Sequence, residues 1–227
     1  MMRVLFCIAC TLLLVACACH GRAASATPQL VKAMQEHYSY LQSFKADFTQ
    51  KLIHQESGIE ETRTGTIVFQ RPLLLRWDIE KPEKELLLVT GKEVWNYRPA
   101  DNTADRYALE VAEDSRSIIR VITGQSRLDE DFQVKENGRD GGLVKLTLYP
   151  KEQTMQFTEA QLWVDSASNM IRRAVILDFW GNRNDITLEY AAENPRIEPG
   201  TFTFSPPQGV RVEDKTRVDA GDSPLMR

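Results

Sequence analysis

Side chains that could do acid–base or metal chemistry are present in this 227-residue chain, but their spacing matches none of the common catalytic motifs. His37 and His54 stand outside any His-Glu-x-x-His spacing. There is no Gly-x-Ser-x-Gly elbow for a nucleophilic serine, no G-x-G-x-x-G and no P-loop. The acidic runs 60–61 and 129–131 lie in polar, loop-like stretches, which favours solvated surface over paired catalytic carboxylates. We therefore predict no enzymatic activity, no metal site and no cofactor.

The cysteines lie in an N-terminal segment that is typical of a secretory signal peptide. An apolar run extends from Val4 to about Cys19, and the small residues Ala24-Ser25-Ala26 follow it as a cleavage site. We predict export and removal of residues 1–26. The mature chain would then contain no disulfide, because all four cysteines are in the removed segment. They are Cys7, Cys10, Cys17 and Cys19.

Two other interpretations of this segment stay open. It could remain as an uncleaved membrane anchor, although its apolar run is shorter than the roughly 20 residues that a spanning helix needs. Leu14-Val15-Ala16-Cys17 also resembles a bacterial lipobox, in which the cysteine is acylated and becomes the first mature residue. Acylation would make the protein membrane-anchored rather than soluble.

Composition and charge exclude several classes of protein. Lys plus Arg is 28 and Asp plus Glu is 32, so the formal net charge is −4. This balance gives no basic surface for nucleic acid. Apolar residues make up 42% of the chain and recur periodically, which indicates a folded domain rather than a disordered one.

Hydrophobic periodicity predicts a helix, about five strands, a second helix and about five more strands. The first helix spans about 28–43 and the second, shorter one 114–124. Short turns join successive strands, so we expect one antiparallel sheet that curls, with the helices on one face. Residues 27–213 would form a single domain, and residues 214–227 a polar C-terminal tail.

The segment 71–80 alternates strictly between two faces. Leu73, Leu75, Trp77 and Ile79 share one face, and the residues between them point to the other. Such a face forms part of a packed core or lines an apolar cavity, and the alternation alone does not distinguish the two.

Four segments resemble the LolA family of periplasmic outer-membrane lipoprotein carriers. They are Ser43-Phe44-Lys45-Ala46-Asp47-Phe48-Thr49-Gln50, Arg71-Pro72-Leu73-Leu74-Leu75-Arg76-Trp77, Gly91-Lys92-Glu93-Val94-Trp95-Asn96-Tyr97-Arg98-Pro99 and Phe202-Thr203-Phe204-Ser205-Pro206-Pro207-Gln208-Gly209-Val210. Each motif is weak alone, but their order and spacing cover about residues 29–214.

The resemblance implies the fold, the cargo and the site. The fold would be α+β and mainly β: an incomplete antiparallel β-barrel of about eleven strands, with helices as a lid on the concave face. The arginine of the Arg-Pro motif, here Arg71, would bind the lid and control its opening. Leu75 occupies a position that is aromatic in the family. The acyl-chain cavity would be lined by Phe48, Leu73, Leu75, Trp77, Ile79, Ile118, Ile119 and Ile122.

The resemblance also implies partners and a location. A monomer in the periplasm would take acylated lipoproteins from an inner-membrane ABC-type release complex and pass them to an outer-membrane lipoprotein receptor. An anchored receptor of the same fold, acylated at Cys17, is the alternative function. A regulatory sensor would need a second domain, and a lipid hydrolase would need a nucleophile–base pair that the chain does not show.

Overall fold

Twelve strands form one sheet in the computed structural model, which describes residues 27–113, 118–152 and 157–217. The predicted signal peptide, its cleavage site, Cys17 and residues 218–227 of the predicted tail lie outside the described residues. The strands are β1 Ser43–His54, β2 Ile59–Gln70, β3 Leu74–Lys81, β4 Glu85–Val89, β5 Glu93–Arg98, β6 Thr103–Ala108, β7 Phe132–Asp140, β8 Leu143–Pro150, β9 Glu159–Asp165, β10 Met170–Leu177, β11 Arg183–Glu193 and β12 Arg211–Asp214. The helices are α1 Thr27–Tyr40, α2 Glu110–Glu113, α3 Ile118–Ile122 and α4 Leu128–Asp131.

The order of the strands is β12-β6-β5-β4-β3-β2-β1-β11-β10-β9-β8-β7. The long central pair β1–β11 joins the two halves of the chain, with a register that runs from Phe44 opposite Glu193 to Ile53 opposite Arg183. Strands β12 and β7 form the two edges and do not pair with each other, so the sheet is open. The expected mainly β fold, an incomplete antiparallel barrel with helices, is therefore confirmed.

The sheet has twelve strands, one more than the count of about eleven that the resemblance implied. β12 pairs with β6 in parallel, and it ends at Asp214, which the sequence analysis placed at the start of the tail. Arg106 Nη2 donates to Asp214 Oδ2 at 2.5 Å, and Lys215 Nζ donates to the buried Asp105 Oδ2 at 3.1 Å. A strand of four residues is too short to show a hydrophobic period, and these charge pairs add to the backbone pairing that attaches it to β6.

The helical segments differ from expectation in length. α1 ends at Tyr40 rather than near 43, because Ser43 already pairs with Gln70 in β2. Of the helix predicted over 114–124, residues 114–117 lie outside the described residues, and α3 covers Ile118–Ile122. α2 and α4 span four residues each and were not predicted, since such short helices carry no period.

The two faces of the sheet bury different apolar clusters. The larger cluster lies on the helix side and contains Met34 and Tyr38 of α1 together with the isoleucines of α3. The smaller cluster lies on the opposite side, where the segment 202–204 packs against β5. There the Phe204 ring centroid lies 5.4 Å from that of Trp95.

Gly124, in the turn that follows α3, allows the helix to approach α1. It has a φ of +65°, and a Cβ at this position would lie 2.1 Å from Cγ of Tyr38. Gly58, in the turn before β2, has nearly the same φ (+66°) but open space around it. Both glycines therefore need a positive φ, but only Gly124 is closely packed against another side chain.

We expect Gly124→Ala to destabilise the protein more than Gly58→Ala does. Both variants bear the left-handed strain of about 1 kcal/mol, and Gly124→Ala adds an overpacking cost of about 1–3 kcal/mol. Urea unfolding of the two variants measures the difference in the free energy of unfolding. Equal losses would show that α3 does not pack against Tyr38 as closely as described.

Candidate functional site

Arg71 connects the strand side of the molecule to the end of α1. Its Nε donates to the carbonyl oxygen of Leu41 at 2.9 Å, and its Nη2 donates to that of Tyr38 at 2.5 Å. The last carbonyls of a helix have no partner within the helix, so they are available to an external donor. The guanidinium also places a positive charge at the negative end of the helix dipole. We call this pair of hydrogen bonds the latch.

Gln125 makes a second connection beside the latch. Its Nε2 donates to the carbonyl oxygen of Pro72, the residue after Arg71. Arg120 of α3 holds Gln125 in place, because its guanidinium donates to the Oε1 and the carbonyl oxygen of Gln125, each at 3.1 Å. The turn at 71–72 therefore binds α1 on one side and the α3–α4 connection on the other.

Tyr38 is a buried polar side chain at the centre of the covering helices. Its hydroxyl accepts a hydrogen bond from the backbone N–H of Ile171 at 3.0 Å and lies 3.4 Å from the hydroxyl of Tyr190. Burial raises the pKa of Tyr38 to about 12, and it raises the pKa of Tyr190 well above the ordinary value. The side chain therefore stays neutral and ties α1 to β10 and β11.

One hydrogen bond and one approach of a histidine to a carboxylate lie along α1. Gln35 Nε2 donates to Asp129 Oδ1 of α4 at 2.7 Å, and this hydrogen bond lowers the pKa of Asp129. His37 Nε2 lies 3.3 Å from Glu193 Oε2 at the end of β11. The acidic run 129–131, predicted as solvated surface, thus contributes one of the contacts between helices.

The residues predicted to line the cavity all lie in the cluster between the sheet and the helices. All eight are buried, and Leu75, Ile119 and Ile122 have no exposed surface. Phe48 and Trp77 pack edge to face with ring centroids 5.3 Å apart. The structure therefore brings the predicted set together as one apolar surface, which we call the inner wall. It consists of Phe48, Leu73, Leu75, Trp77, Ile79, Ile118, Ile119 and Ile122.

A separate cleft of about 720 Å³ lies mainly on the opposite face of the sheet. Its lining includes Arg76, Asp78, Tyr97 and Phe204, whereas Leu75 and Trp77 face the other way. Arg76 and Asp78 form a two-pronged ion pair at 2.6 and 2.8 Å. This mixed, charged cleft offers no continuous apolar surface, so it does not suit an acyl chain.

Similarity to known proteins extends over most of the chain. The family model of the outer membrane lipoprotein carrier protein LolA matches residues 39–205. The chain belongs to the LolA family. The matched segment includes Arg71 and the entire inner wall, whereas residues 27–38 of α1 precede it. Carrier proteins of this family are periplasmic transport proteins.

Individual relatives agree with the LolA family model. An outer-membrane lipoprotein carrier protein from Chromobacterium violaceum is 28% identical over 192 residues, which are 85% of this chain and 91% of the relative. One from Nitrosomonas europaea is 26% identical over 182 residues, which are 80% and 87% of the two chains. A crystal structure of an uncharacterized conserved protein from Thermus thermophilus has a TM-score of 0.53 at 17% identity and covers 83% of this chain and 99% of its own. This last likeness concerns the fold alone.

Other groups considered in the sequence analysis form no such arrangement. Among the described residues, no three His, Cys, Asp or Glu side chains come close enough to hold a metal ion. No helix in the described part of the chain is both long and apolar enough to cross a membrane. His54 is exposed near the tip of the β1–β2 hairpin, whereas His37 lies on α1 beside Glu193.

Sequence reasoning missed the polar contacts of the site. The sequence pattern placed Tyr38 only within the first predicted helix, and Gly124 only at the end of the second. A tyrosine within an apolar stripe does carry a signal, because a buried hydroxyl requires a partner. The identity of that partner, the N–H of Ile171, is 133 positions away in sequence and could not be predicted.

We expect Tyr38→Phe to weaken the attachment of α1. The N–H of Ile171 loses its acceptor, which costs about 1–3 kcal/mol of the free energy of unfolding at neutral pH. Because the folded pKa of Tyr38 lies above its unfolded value, its stabilising contribution is complete below pH 10 and disappears as the pH rises to about 12. The variant should therefore lose less stability than the wild type between pH 10 and about 12.

The matched control is Tyr40→Phe, because Tyr40 is on the same helix but 79% exposed. In urea unfolding across this pH range, Tyr40→Phe should have the same free energy of unfolding as the wild type. This free energy should also change with pH as it does in the wild type. If Tyr38→Phe also behaves like the wild type, the hydroxyl does not anchor the helix.

Proposed function

We propose that this LolA-family protein carries acylated lipoproteins through the periplasm from the inner membrane to an outer-membrane acceptor. The observation that carries the proposal is the latch, in which Arg71 holds the end of α1 over the inner wall. The same arrangement requires no catalytic group, so we infer that the protein is not an enzyme. An inner-membrane ABC-type release complex would supply the cargo and an outer-membrane lipoprotein receptor would take it.

The energy of acyl chains in water explains why such a carrier needs an apolar wall. Each buried methylene contributes about 0.8 kcal/mol, so one long acyl chain costs on the order of 10 kcal/mol to expose. A lipoprotein therefore cannot cross the aqueous space between membranes without a protein that covers its chains. The inner wall provides a surface without charged side chains for this purpose.

The closed helices must move before cargo can reach this wall. Leu75, Ile119 and Ile122 are wholly covered in the closed arrangement, so acyl chains can contact them only after α1 or α3 shifts. The latch consists of hydrogen bonds from a charged donor, worth about 1.5–3 kcal/mol each. The free energy of these two hydrogen bonds is less than the free energy gained when an acyl chain is buried, so cargo can displace the latch. Closure of the latch can in turn favour the release of cargo.

Export fits this role, and we infer that a signal peptide is cleaved after Ala26 and that the carrier is monomeric. The alternative is an outer-membrane-anchored receptor of the same fold that is acylated at Cys17. Mass spectrometry of the mature N-terminus separates the two, because the carrier begins at Thr27 and the receptor at a lipidated cysteine.

Native mass spectrometry of the protein purified from its own envelope tests the proposal directly. We expect a fraction of the protein to carry the mass of an acylated lipoprotein, and mild delipidation to restore the apo mass. A protein that is always free of lipid, even when lipoprotein release is blocked downstream, would contradict a carrier function.

We expect Arg71→Leu to leave the fold intact but impair the release of cargo. Without the guanidinium, the carbonyl oxygens of Tyr38 and Leu41 lose their donor, so the closed state is less stable and the loaded state is retained. Transfer of a labelled lipoprotein to acceptor membranes measures the effect. Arg139→Leu, near the exposed end of β7, is the control, and transfer by Arg71→Leu at the control rate would show that the latch does not control release.

We expect Leu75→Glu to weaken the uptake of cargo, because a carboxylate would stand where acyl chains must lie. Leu74→Glu is the matched control, since Leu74 is the preceding residue of β3 and points to the other face. Uptake is measured with lipoprotein released from inner-membrane vesicles, together with thermal unfolding of each variant. If Leu75→Glu does not fold, the uncharged variant Leu75→Gln replaces it. We expect Leu75→Gln to reduce uptake as well, but by less. Normal uptake by folded Leu75→Glu would exclude the wall as the binding surface.

A further inference from the structure

The indole nitrogen of Trp77 is a buried hydrogen-bond donor without a partner among the described residues. Trp77 is 3% exposed, and its Nε1 has no acceptor within hydrogen-bonding distance. A buried indole N–H normally finds an acceptor, because removing it from water without one is unfavourable. The position of this donor in the inner wall therefore needs an explanation.

Two other buried tryptophans of the same sheet follow the ordinary pattern. Trp95 Nε1 donates to Glu93 Oε1 at 2.8 Å, and Trp163 Nε1 donates to Asp140 Oδ2 at 2.9 Å. Both acceptors are carboxylates close to the tryptophan. The sequence thus supplies a partner for the indole N–H where the tryptophan lies on the outer face, and it does not do so at Trp77.

The neighbours of Trp77 on the two flanking strands and on β1 are apolar. Its register partners are Ile67 on β2 and Leu87 on β4, and the ring of Phe48 packs against it edge to face. All three are buried hydrocarbon side chains. A phenylalanine would fill similar space without a donor, so packing alone does not account for the indole nitrogen.

We propose that the Trp77 indole N–H donates to a carbonyl oxygen at the head of an acyl chain of the cargo. This inference rests on the proposed carrier function. The methylenes of an acyl chain accept no hydrogen bond, whereas the ester or amide carbonyl that attaches the chain does. Trp77 therefore recognises the carbonyl group that links the acyl chain to the lipoprotein, and it fixes how deeply the chain enters. The rest of the inner wall buries the hydrocarbon.

The inference is tested with two synthetic glyceryl-cysteine peptides that differ only in linkage. One carries two palmitoyl chains as esters, and the other carries two hexadecyl chains as ethers, which lack the carbonyl oxygens. We expect the wild-type protein to bind the ester peptide roughly fivefold to tenfold more tightly, as one hydrogen bond in an apolar site provides. Trp77→Phe should bind both peptides equally, at about the wild-type affinity for the ether.

The control is Trp95→Phe, the same substitution on the outer face, which should keep the preference for the ester. A wild-type protein that binds both peptides equally, or a preference that survives in Trp77→Phe, would overturn the inference and leave the carrier function standing. If neither peptide binds to the wild type, the carrier function itself fails.

A second measurement requires no cargo. In the empty protein, Trp77→Phe removes a donor that has no partner, whereas Trp95→Phe breaks a hydrogen bond to Glu93. Urea unfolding should therefore show a smaller loss of stability for Trp77→Phe than for Trp95→Phe. A larger loss for Trp77→Phe would mean that its nitrogen is already satisfied in the folded protein, and this would contradict the inference.

Discussion

The free carbonyl oxygens at the end of α1 are the constraint on which the covering helices depend. A helix cannot pair its last carbonyls internally, and here the helix end lies against the sheet rather than in open solvent. Arg71 supplies donors to two of these oxygens, and its backbone N–H donates to the carbonyl oxygen of Gln42 at 2.8 Å. The helix end is thus held by one residue of the turn before β3, and the same turn also binds Gln125.

This dependence makes the attachment of the helices both specific and limited in strength. Besides the apolar packing of Met34 and Tyr38, α1 is attached by a small number of directional hydrogen bonds, from Arg71, from the N–H of Ile171 and between Gln35 and Asp129. Directional bonds are lost together when a helix shifts by a few ångströms, whereas apolar contacts decline gradually.

Strand β3 has an apolar face toward the helices and a charged face on the other side of the sheet. Leu75, Trp77 and Ile79 belong to the inner wall, while Arg76 and Asp78 pair with each other on the outer face. The period of two in a strand keeps these sets apart, so a shift of one residue would exchange them. The cross-strand register with β2 and β4 runs through the whole segment and prevents such a shift.

The sequence could predict those features that depend on interactions between residues close together in the chain. The alternation in 71–80 is local and correctly predicted a strand with one apolar face, and the helical pattern over about 28–43 predicted α1 except for its end. The family motifs predicted the incomplete barrel and pointed to Arg71. The partners of Tyr38 and Gln125 are distant in sequence, and no local pattern encodes them. Gly124 was predicted as a helix end, but its role in packing depends on Tyr38, which comes from another helix.

Attachment of β12 to β6 has a consequence for the association of this protein with other chains. An open sheet exposes unpaired backbone groups along its edges, and a free edge recruits extended polypeptides or second copies of the sheet. Here Arg211–Asp214 occupy the edge of β6, and ion pairs to Arg106 and Asp105 hold them in place. A polypeptide attached to the acyl chains therefore cannot pair with β6 itself, and on that side it meets only the four-residue strand β12.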